Sequence, residues 1–141
     1  MTKDKFLLPI IRLRVLQLFY HYCHNLTKGV IFFQDHEFLG ASYAEVEGHY
    51  DSLAEFCIAS LGEDAFDTEL ITKGISKGLT VLKINKMGPN AMLEKALALE
   101  QELYEDLTEL DKGSPIGLRN LLGAIAEASD VRKYKLQQRL G

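Results

Sequence analysis

Four side chains of types that bind divalent metals occur in two pairs along this chain. His24 and His36 flank a Lys-Gly pair, a combination typical of a helix end. Asp51 and Glu55 follow, and their spacing of four places them on one face of a helix. Imidazole and carboxylate together suit iron or a similar divalent metal. The four residues therefore predict a metal site.

The spacing of these residues restricts how such a site can form. His36 and Asp51 are 15 residues apart on one predicted helix, which is about 22 Å at about 1.5 Å per residue. No single metal ion can bind all four residues within one chain. The carboxylates must then come from a second subunit packed antiparallel along the same helix. A two-fold axis would generate two equivalent sites, so the metal hypothesis predicts at least an antiparallel dimer.

Four further polar residues lie close to these ligands in the sequence. His21 lies one turn before the first histidine and could orient it or simply border the interface. Glu47, one turn before the carboxylate pair, could support the metal, and Asp35 could add a carboxylate. For these two acidic residues an exposed helix face is the favoured interpretation. His49 lies off the face that carries the carboxylates, and we expect it at the surface or in an interface.

Four long helices are the elements that must position these side chains. Apolar residues at helical spacing predict helices over about 6–27, 34–61 and 91–112, and a fourth running toward the C-terminus. Ser114 is the predicted N-cap of this fourth helix and Pro115 its first residue. The predicted inner stripe of the first helix comprises Ile11, Val15, Leu18, Tyr22 and Leu26.

The connections between the helices predict the topology. The first and third are short, so each joins antiparallel neighbours. The middle connection, 63–88, carries a short predicted helix around 68–77. It is long enough, at about 3.3 Å per residue, to return along a helix of about 40 Å. We expect an all-α, ferritin-like four-helix bundle with one long crossover between helices two and three, formed by a single domain over 1–141.

Composition excludes several other classes of protein. The chain has 141 residues, 47% of them hydrophobic, and a formal net charge of −4, so bulk charge predicts no affinity for nucleic acid. Arg12 and Arg14 interrupt the early apolar run, which argues against a membrane span. Cys23 and Cys57 are too few for a disulfide framework. We expect them to pack in the core of a cytoplasmic protein.

The segment that carries both histidines has the pattern of a known family. "HYCHNLTKGVIFFQDHEF", 21–38, followed by "DSLAE", 51–55, resembles the Dps family, the mini-ferritins. That family shows His-x-x-His-Trp-x-x-Lys-Gly, then Phe-x-x-x-His-Glu, then Asp-x-x-Ala-Glu-Arg. The residues at matching spacings are His21, His24, Lys28, Gly29, His36, Glu37, Asp51, Ala54 and Glu55.

The resemblance implies a function as well as a fold. It implies a ferroxidase centre between subunits, with His24 and His36 from one subunit and Asp51 and Glu55 from its partner. Helix spacing requires this same arrangement independently. Iron(II) would be oxidised, typically by peroxide, and stored as ferric mineral inside a hollow dodecameric shell. The resemblance also implies a short helix in the middle connection.

Departures from the family pattern keep two alternatives open. Asn25 stands where the family has tryptophan, and Phe56 where it has arginine. These changes favour, as one alternative, a ferritin-like structural or interaction protein without ferroxidase activity. The other alternative is a DNA-binding nucleoid protein. The lysine-rich tail that some members use for DNA is reduced here to Lys3 and Lys5.

A metal centre inside the bundle of one subunit is a further arrangement that the fold allows. Glu100 lies among the apolar positions of the third long helix and could be its inward carboxylate. Such a centre also needs Glu-x-x-His patterns on two other helices. The fourth helix offers only Glu127 and Asp130, so the site between subunits is the favoured prediction.

Overall fold

The computed structural model describes all residues from 1 to 141 as an all-helical bundle. Four long α-helices and one short one follow each other along the chain, with two single 3-10 turns beside the short helix. They are α1 (Lys3–Leu26), α2 (Phe32–Leu61), α3 (Thr68–Thr80), α4 (Pro89–Asp111) and α5 (Ile116–Leu140). The predicted all-α fold, with a short helix in the long middle connection, is confirmed.

The four long helices surround one apolar core. α1 packs against both α2 and α4, α4 packs against α5, and α5 returns to α2. The largest wholly buried side chains of this core include Phe6, Phe19, Tyr20, Leu53 and Leu103. Cys23 and Cys57 are also wholly buried and free, as expected from the sequence. No helix combines the length and the hydropathy needed to cross a bilayer.

α1 buries two faces, and the sequence analysis identified the wrong one as the core face. The core face comprises Phe6, Ile10, Leu13, Leu16, Tyr20 and Cys23, all of them wholly buried. Tyr22 and Leu26, which were predicted to be core residues, remain 45% and 38% exposed. When two faces of a helix are both apolar, a repeat of apolar residues every 3.6 positions does not show which face meets the core.

The second apolar face of α1 lies under the short helix α3. A Cβ atom at Gly74 would lie 2.7 Å from the Ile11 side chain, and one at Gly78 would lie 2.9 Å from Val15. These two glycines, one turn apart, therefore let α3 approach α1 closely. The predicted stripe is real, but its first half packs against the connection rather than inside the bundle.

The start of α5 differs by one residue from the prediction. Pro115 is the N-cap, with Ile116 as the first helical residue. The Ser114 hydroxyl instead donates a hydrogen bond to the carbonyl oxygen of Leu110, in the last turn of α4. The prediction of Ser114 as N-cap is therefore wrong, because this side chain satisfies the preceding helix. Gly113, with φ +74°, follows the last turn of α4, a common place for glycine at a helix end.

Candidate metal site

The hairpin between α1 and α2 brings the two histidines into direct contact. α1 ends at Leu26 and α2 begins at Phe32, and Gly29 takes φ +103° in the turn between them. Only glycine adopts this backbone conformation readily. The rings of His24 and His36 stack with their centroids 3.7 Å apart and their planes 23° from parallel.

A hydrogen bond sets the orientation and the tautomer of His24. Its Nδ1 lies 2.8 Å from the backbone carbonyl oxygen of His36. Because a carbonyl oxygen only accepts, Nδ1 must carry the proton, and the neutral ring then keeps its lone pair on Nε2. Metal-binding histidines are commonly oriented in this way by a carbonyl or carboxylate group. Nε2 of His24 is therefore prepared to bind a cation.

Gly40 provides the space that the His24 ring occupies. A Cβ atom at this position would lie 3.0 Å from Cε1 and 3.1 Å from Nδ1 of that ring. Both distances are shorter than ordinary contacts between non-bonded atoms. Any larger residue would displace the imidazole from its hydrogen bond. Glycine inside a helix weakens it, but here it leaves the room that the His24 ring needs.

Aromatic rings extend the histidine pair on both sides. Phe32 stacks on His36 with centroids 4.9 Å apart. Tyr43 meets His24 edge-on at 5.5 Å and stacks on His21 at 4.0 Å, almost parallel. His21 therefore lies beside the pair and packs on Tyr43. Sequence analysis did not assign Tyr43 or Phe32 to the site, although their spacing from His36 on α2 places all three on one face.

Asp51 and Glu55 lie on an exposed face of α2, apart from the histidines. α2 is continuous from Phe32 to Leu61, so the helical distance of about 22 Å between His36 and Asp51 applies. No group of three or more ligand-type residues within the chain is arranged so that it could hold a metal ion. One chain therefore holds the histidines in one place and the carboxylates in another.

Glu47 is tied to α1 through a chain of polar contacts. Its carboxylate accepts a hydrogen bond from Nε2 of Gln17 at 3.4 Å, and Oε1 of Gln17 accepts one from Arg14 at 2.9 Å. The Arg14 guanidinium lies 3.7 Å above the centre of the Tyr50 ring, a favourable cation–π position. These contacts hold Glu47 toward α1.

Asp35 is not on the solvent-exposed face that the sequence suggested. It is buried, and its two oxygens accept hydrogen bonds from the Arg139 guanidinium at 3.0 Å each. A carboxylate in the first turn of α2 also interacts favourably with the helix dipole. The pair joins the start of α2 to the end of α5, which is a structural role.

Comparison with known proteins identifies the family. The ferritin-like domain family model matches residues 12–112, more than two thirds of the chain. The chain belongs to the ferritin-like domain family. Iron oxidation and storage are common activities in this family. No curated protein matches the chain.

The ferritin-like bundle contains a polar cluster that extends from its core to the surface at Glu45. We call it the interior cluster: Tyr20, Glu45, Glu100, Ser129 and Arg132. Glu100 is wholly buried, as its place among apolar residues suggested. It accepts hydrogen bonds from Nε and Nη2 of Arg132 at 2.6 and 3.0 Å, from Ser129 at 2.6 Å, and from the Tyr20 hydroxyl. Arg132 also donates to Glu45 at 2.6 Å.

Arg132 occupies the position that a metal inside the bundle would need. Family members with interior metals surround them with carboxylates and histidines from all four helices. Here a guanidinium contacts the inward carboxylate directly, while Glu127 and Asp130 are exposed on α5. The residues do not fit an interior metal centre in this chain.

His49 is half-buried on α2. Its Nδ1 is buried and has no hydrogen-bond partner. Burial lowers the pKa of His49, and the positive charge of Arg132 lowers that pKa further. The lowered pKa favours the neutral imidazole of His49.

Sequence analysis missed Arg132 although a signal for it exists. On α5, Leu118, Leu122 and Ile125 form the buried stripe, and Ser129 and Arg132 continue that stripe at the same spacing. An arginine on a core stripe predicts a buried carboxylate partner, because an unpaired buried charge is very costly.

Proposed function

We propose that this ferritin-like protein oxidises iron(II) at sites formed between two antiparallel subunits, as the resemblance to the Dps family implies. His24 and His36 of one subunit would bind iron together with Asp51 and Glu55 of its partner. His21 and Glu47 would support these ligands from outside. The observation that carries the proposal is the stacked histidine pair, with the His24 ring oriented by its hydrogen bond to a carbonyl oxygen.

The exposed face of α2 supports the proposed pairing of subunits. Ala41, Ala44 and Gly48 are exposed on this helix, and nothing lies within 4 Å of a Cβ built at Gly48. Small residues allow two helix backbones to approach closely. Ala44 lies about halfway between His36 and Asp51 along the chain. An antiparallel pairing centred there would place the histidines of each subunit opposite the carboxylates of the other.

The ligand set is suited to iron as a substrate. Neutral imidazole binds iron(II), and carboxylates favour the more highly charged iron(III) that oxidation produces. Peroxide accepts two electrons and two protons to leave as water, so each peroxide would oxidise two iron(II) ions. We propose that a closed, dodecameric homo-oligomer then stores the ferric product. Removing iron(II) and peroxide together would limit radical damage.

A second candidate function is an assembly that does not oxidise iron. Phe56 favours it, because this half-buried ring packs near Gly117 of α5, where an added Cβ would lie 3.7 Å from the ring. The family's arginine would instead bring a positive charge next to Glu55. In this second case the wild-type protein would form the oligomer but show no iron(II) oxidation.

Mixing two defective variants tests whether the site is shared between subunits. One variant carries His24→Ala and His36→Ala, and the other carries Asp51→Asn and Glu55→Gln. Each alone should oxidise iron(II) far more slowly than the wild type. Random mixing makes half of the dimers mixed, and each mixed dimer regains one of its two sites. The mixture should therefore recover about a quarter of the wild-type activity.

Three results would contradict the proposal. Activity of the mixture that equals the mean of the separate variants would exclude shared ligands. A stable monomer at working concentration would exclude the site outright. Unchanged oxidation by a His36→Ala variant would show that the histidine pair is not part of it. As a control, two preparations of the carboxylate variant mixed with each other should gain nothing.

A further inference from the structure

The row of rings that starts at the histidine pair ends in solvent at Phe33. Phe32 stacks on His36, and the Phe33 ring meets Phe32 at a steep angle with centroids 5.5 Å apart. Phe33 is nevertheless 81% exposed, and its neighbours Val30 and Ile31 are exposed as well. Contiguous exposed apolar side chains, unlike scattered ones, indicate an interaction surface.

Phe33 lies on the same face of α2 as the carboxylates of the candidate site. α2 is continuous over Phe32–Leu61. Asp51 follows Phe33 by 18 residues, which is five whole turns at about 3.6 residues per turn. Ala44 and Gly48 lie between them and are exposed. One stripe of α2 therefore carries an aromatic ring at one end, small residues in the middle and carboxylates at the other end.

The small residues of this stripe bury too little apolar surface to hold two subunits together alone. A standard protein–protein interface buries about 1,600 Å² in total. A phenylalanine side chain buries about 150–250 Å² when it is fully covered. Phe33 is the most exposed large apolar side chain of α2. Because a two-fold interface contains both copies, the two exposed rings would contribute about 250–400 Å², roughly a fifth of that area.

The proposed pairing of subunits places Phe33 opposite a defined part of the partner helix. When two α2 helices pair antiparallel about Ala44, His36 of one subunit lies level with Asp51 of the partner subunit. Phe33 comes three residues before His36, so it lies level with the position three residues after the partner's Asp51, next to the partner's Glu55. Glu55 is exposed in the single chain. A ring at this point would exclude water from the carboxylate.

We infer that Phe33 is the apolar anchor between two copies of this chain. The Phe33 ring of each subunit packs on α2 of the partner subunit beside its Glu55, and it covers the proposed metal site from solvent. The inference rests on the proposed function for the register of the two helices. It adds the contact that holds them together.

Truncation of Phe33 tests the anchor through the dissociation constant of the dimer, measured by analytical ultracentrifugation. Phe33→Ala should raise this constant by about 100- to 1,000-fold, because aromatic anchors dominate interface energies and the change occurs twice in each dimer. Ile116→Ala is the matched control. It removes an apolar side chain that is 86% exposed at the start of α5, and it should leave the constant unchanged. Both variants should keep the helical circular dichroism of the wild type, because neither side chain belongs to the core.

A charge at position 33 tests where the ring lies. Phe33→Glu would bring a negative charge next to the partner's Asp51 and Glu55, whereas Phe33→Lys would bring a positive one. The glutamate variant should therefore dissociate at lower concentration than the lysine variant, and added salt should reduce the difference.

Two results would overturn the inference while leaving the proposed function intact, provided that the wild type is a dimer that oxidises iron(II). One is a wild-type dissociation constant for Phe33→Ala, which would assign the ring to a lipid surface or a different protein. The other is equal dissociation of the glutamate and lysine variants. The reverse case is a wild-type dimer that depends on Phe33 but does not oxidise iron(II), which would contradict only the proposed function. A monomeric wild type would overturn both.

Discussion

Substitution of Gly40 by alanine should weaken metal binding while leaving the free energy of unfolding almost unchanged. Gly40 lies inside α2, where alanine is the better helix former, worth about 0.5–1 kcal/mol. The new Cβ would lie 3.0 Å from Cε1 and 3.1 Å from Nδ1 of His24. Ordinary contacts between such atoms begin at about 3.5 Å. The ring must therefore withdraw by roughly 0.5 Å.

That withdrawal acts on the hydrogen bond that orients His24. The bond from Nδ1 to the His36 carbonyl oxygen is 2.8 Å long, and losing it costs about 1 kcal/mol. The gain in helix propensity and this loss nearly cancel, so the free energy of unfolding should change little. Metal affinity should nevertheless fall by about 10- to 100-fold, as it does when the partner that orients a ligand is lost.

A matched glycine makes this prediction testable. Gly123 lies inside α5, and nothing lies within 4 Å of a Cβ built there. Gly123→Ala should raise the free energy of unfolding in urea by about 0.5–1 kcal/mol without changing iron(II) affinity in an anaerobic titration. If Gly40→Ala stabilises the protein equally and binds iron(II) normally, the His24 position does not depend on Gly40.

Three further predictions concern the interior of the bundle. Tyr20→Phe removes a hydrogen-bond donor to the Glu100 carboxylate and should lower the free energy of unfolding in urea by about 1.5–3 kcal/mol; an unchanged midpoint would contradict that role. Burial raises the pKa of the Cys23 thiol to about 12, so the native protein should not react with a thiol reagent at mild alkaline pH until it is unfolded. The pKa of His49 is lowered by burial and by Arg132, so the unfolded chain binds more protons just below about pH 6.5. Stability should therefore be complete above that pH and fall as the pH drops through the window down to the lowered pKa, and His49→Gln should flatten this slope in urea titrations.

The histidine pair is predictable from sequence because its geometry is local. A helix stop at Lys28-Gly29 and two flanking helical patterns are enough to form a short hairpin. His24 and His36 lie close to its two sides, and their rings stack at 3.7 Å. The hydrogen bond to the carbonyl and the space left by Gly40 are not predictable in this way. They depend on the distance between α1 and α2, which side-chain packing sets.

Glu100 was identified from sequence as a possible inward carboxylate, but its partners in the interior cluster were missed because they lie in distant parts of the chain. Glu45 and Arg132 are separated by 87 residues, and Glu100 and Arg132 by 32. Charged residues on helices are usually exposed, so an arginine on a core stripe is easily assigned to the surface. The error for α1 has a different cause. The helix α3 covers a second apolar face, and periodicity cannot say which apolar face meets which neighbour.

α2 carries acidic residues on two of its faces, and their partners determine where a cation from solution can bind. Glu45 faces the interior cluster and already has the guanidinium of Arg132 at 2.6 Å. Asp51 lies six residues later, so at about 100° per residue it points to a different side of the helix. It is exposed there together with Glu55. Because Glu45 already has a cationic partner within the chain, we propose that the outward pair Asp51 and Glu55 is the one that binds iron(II). The histidines of that proposed site would then have to come from a second subunit.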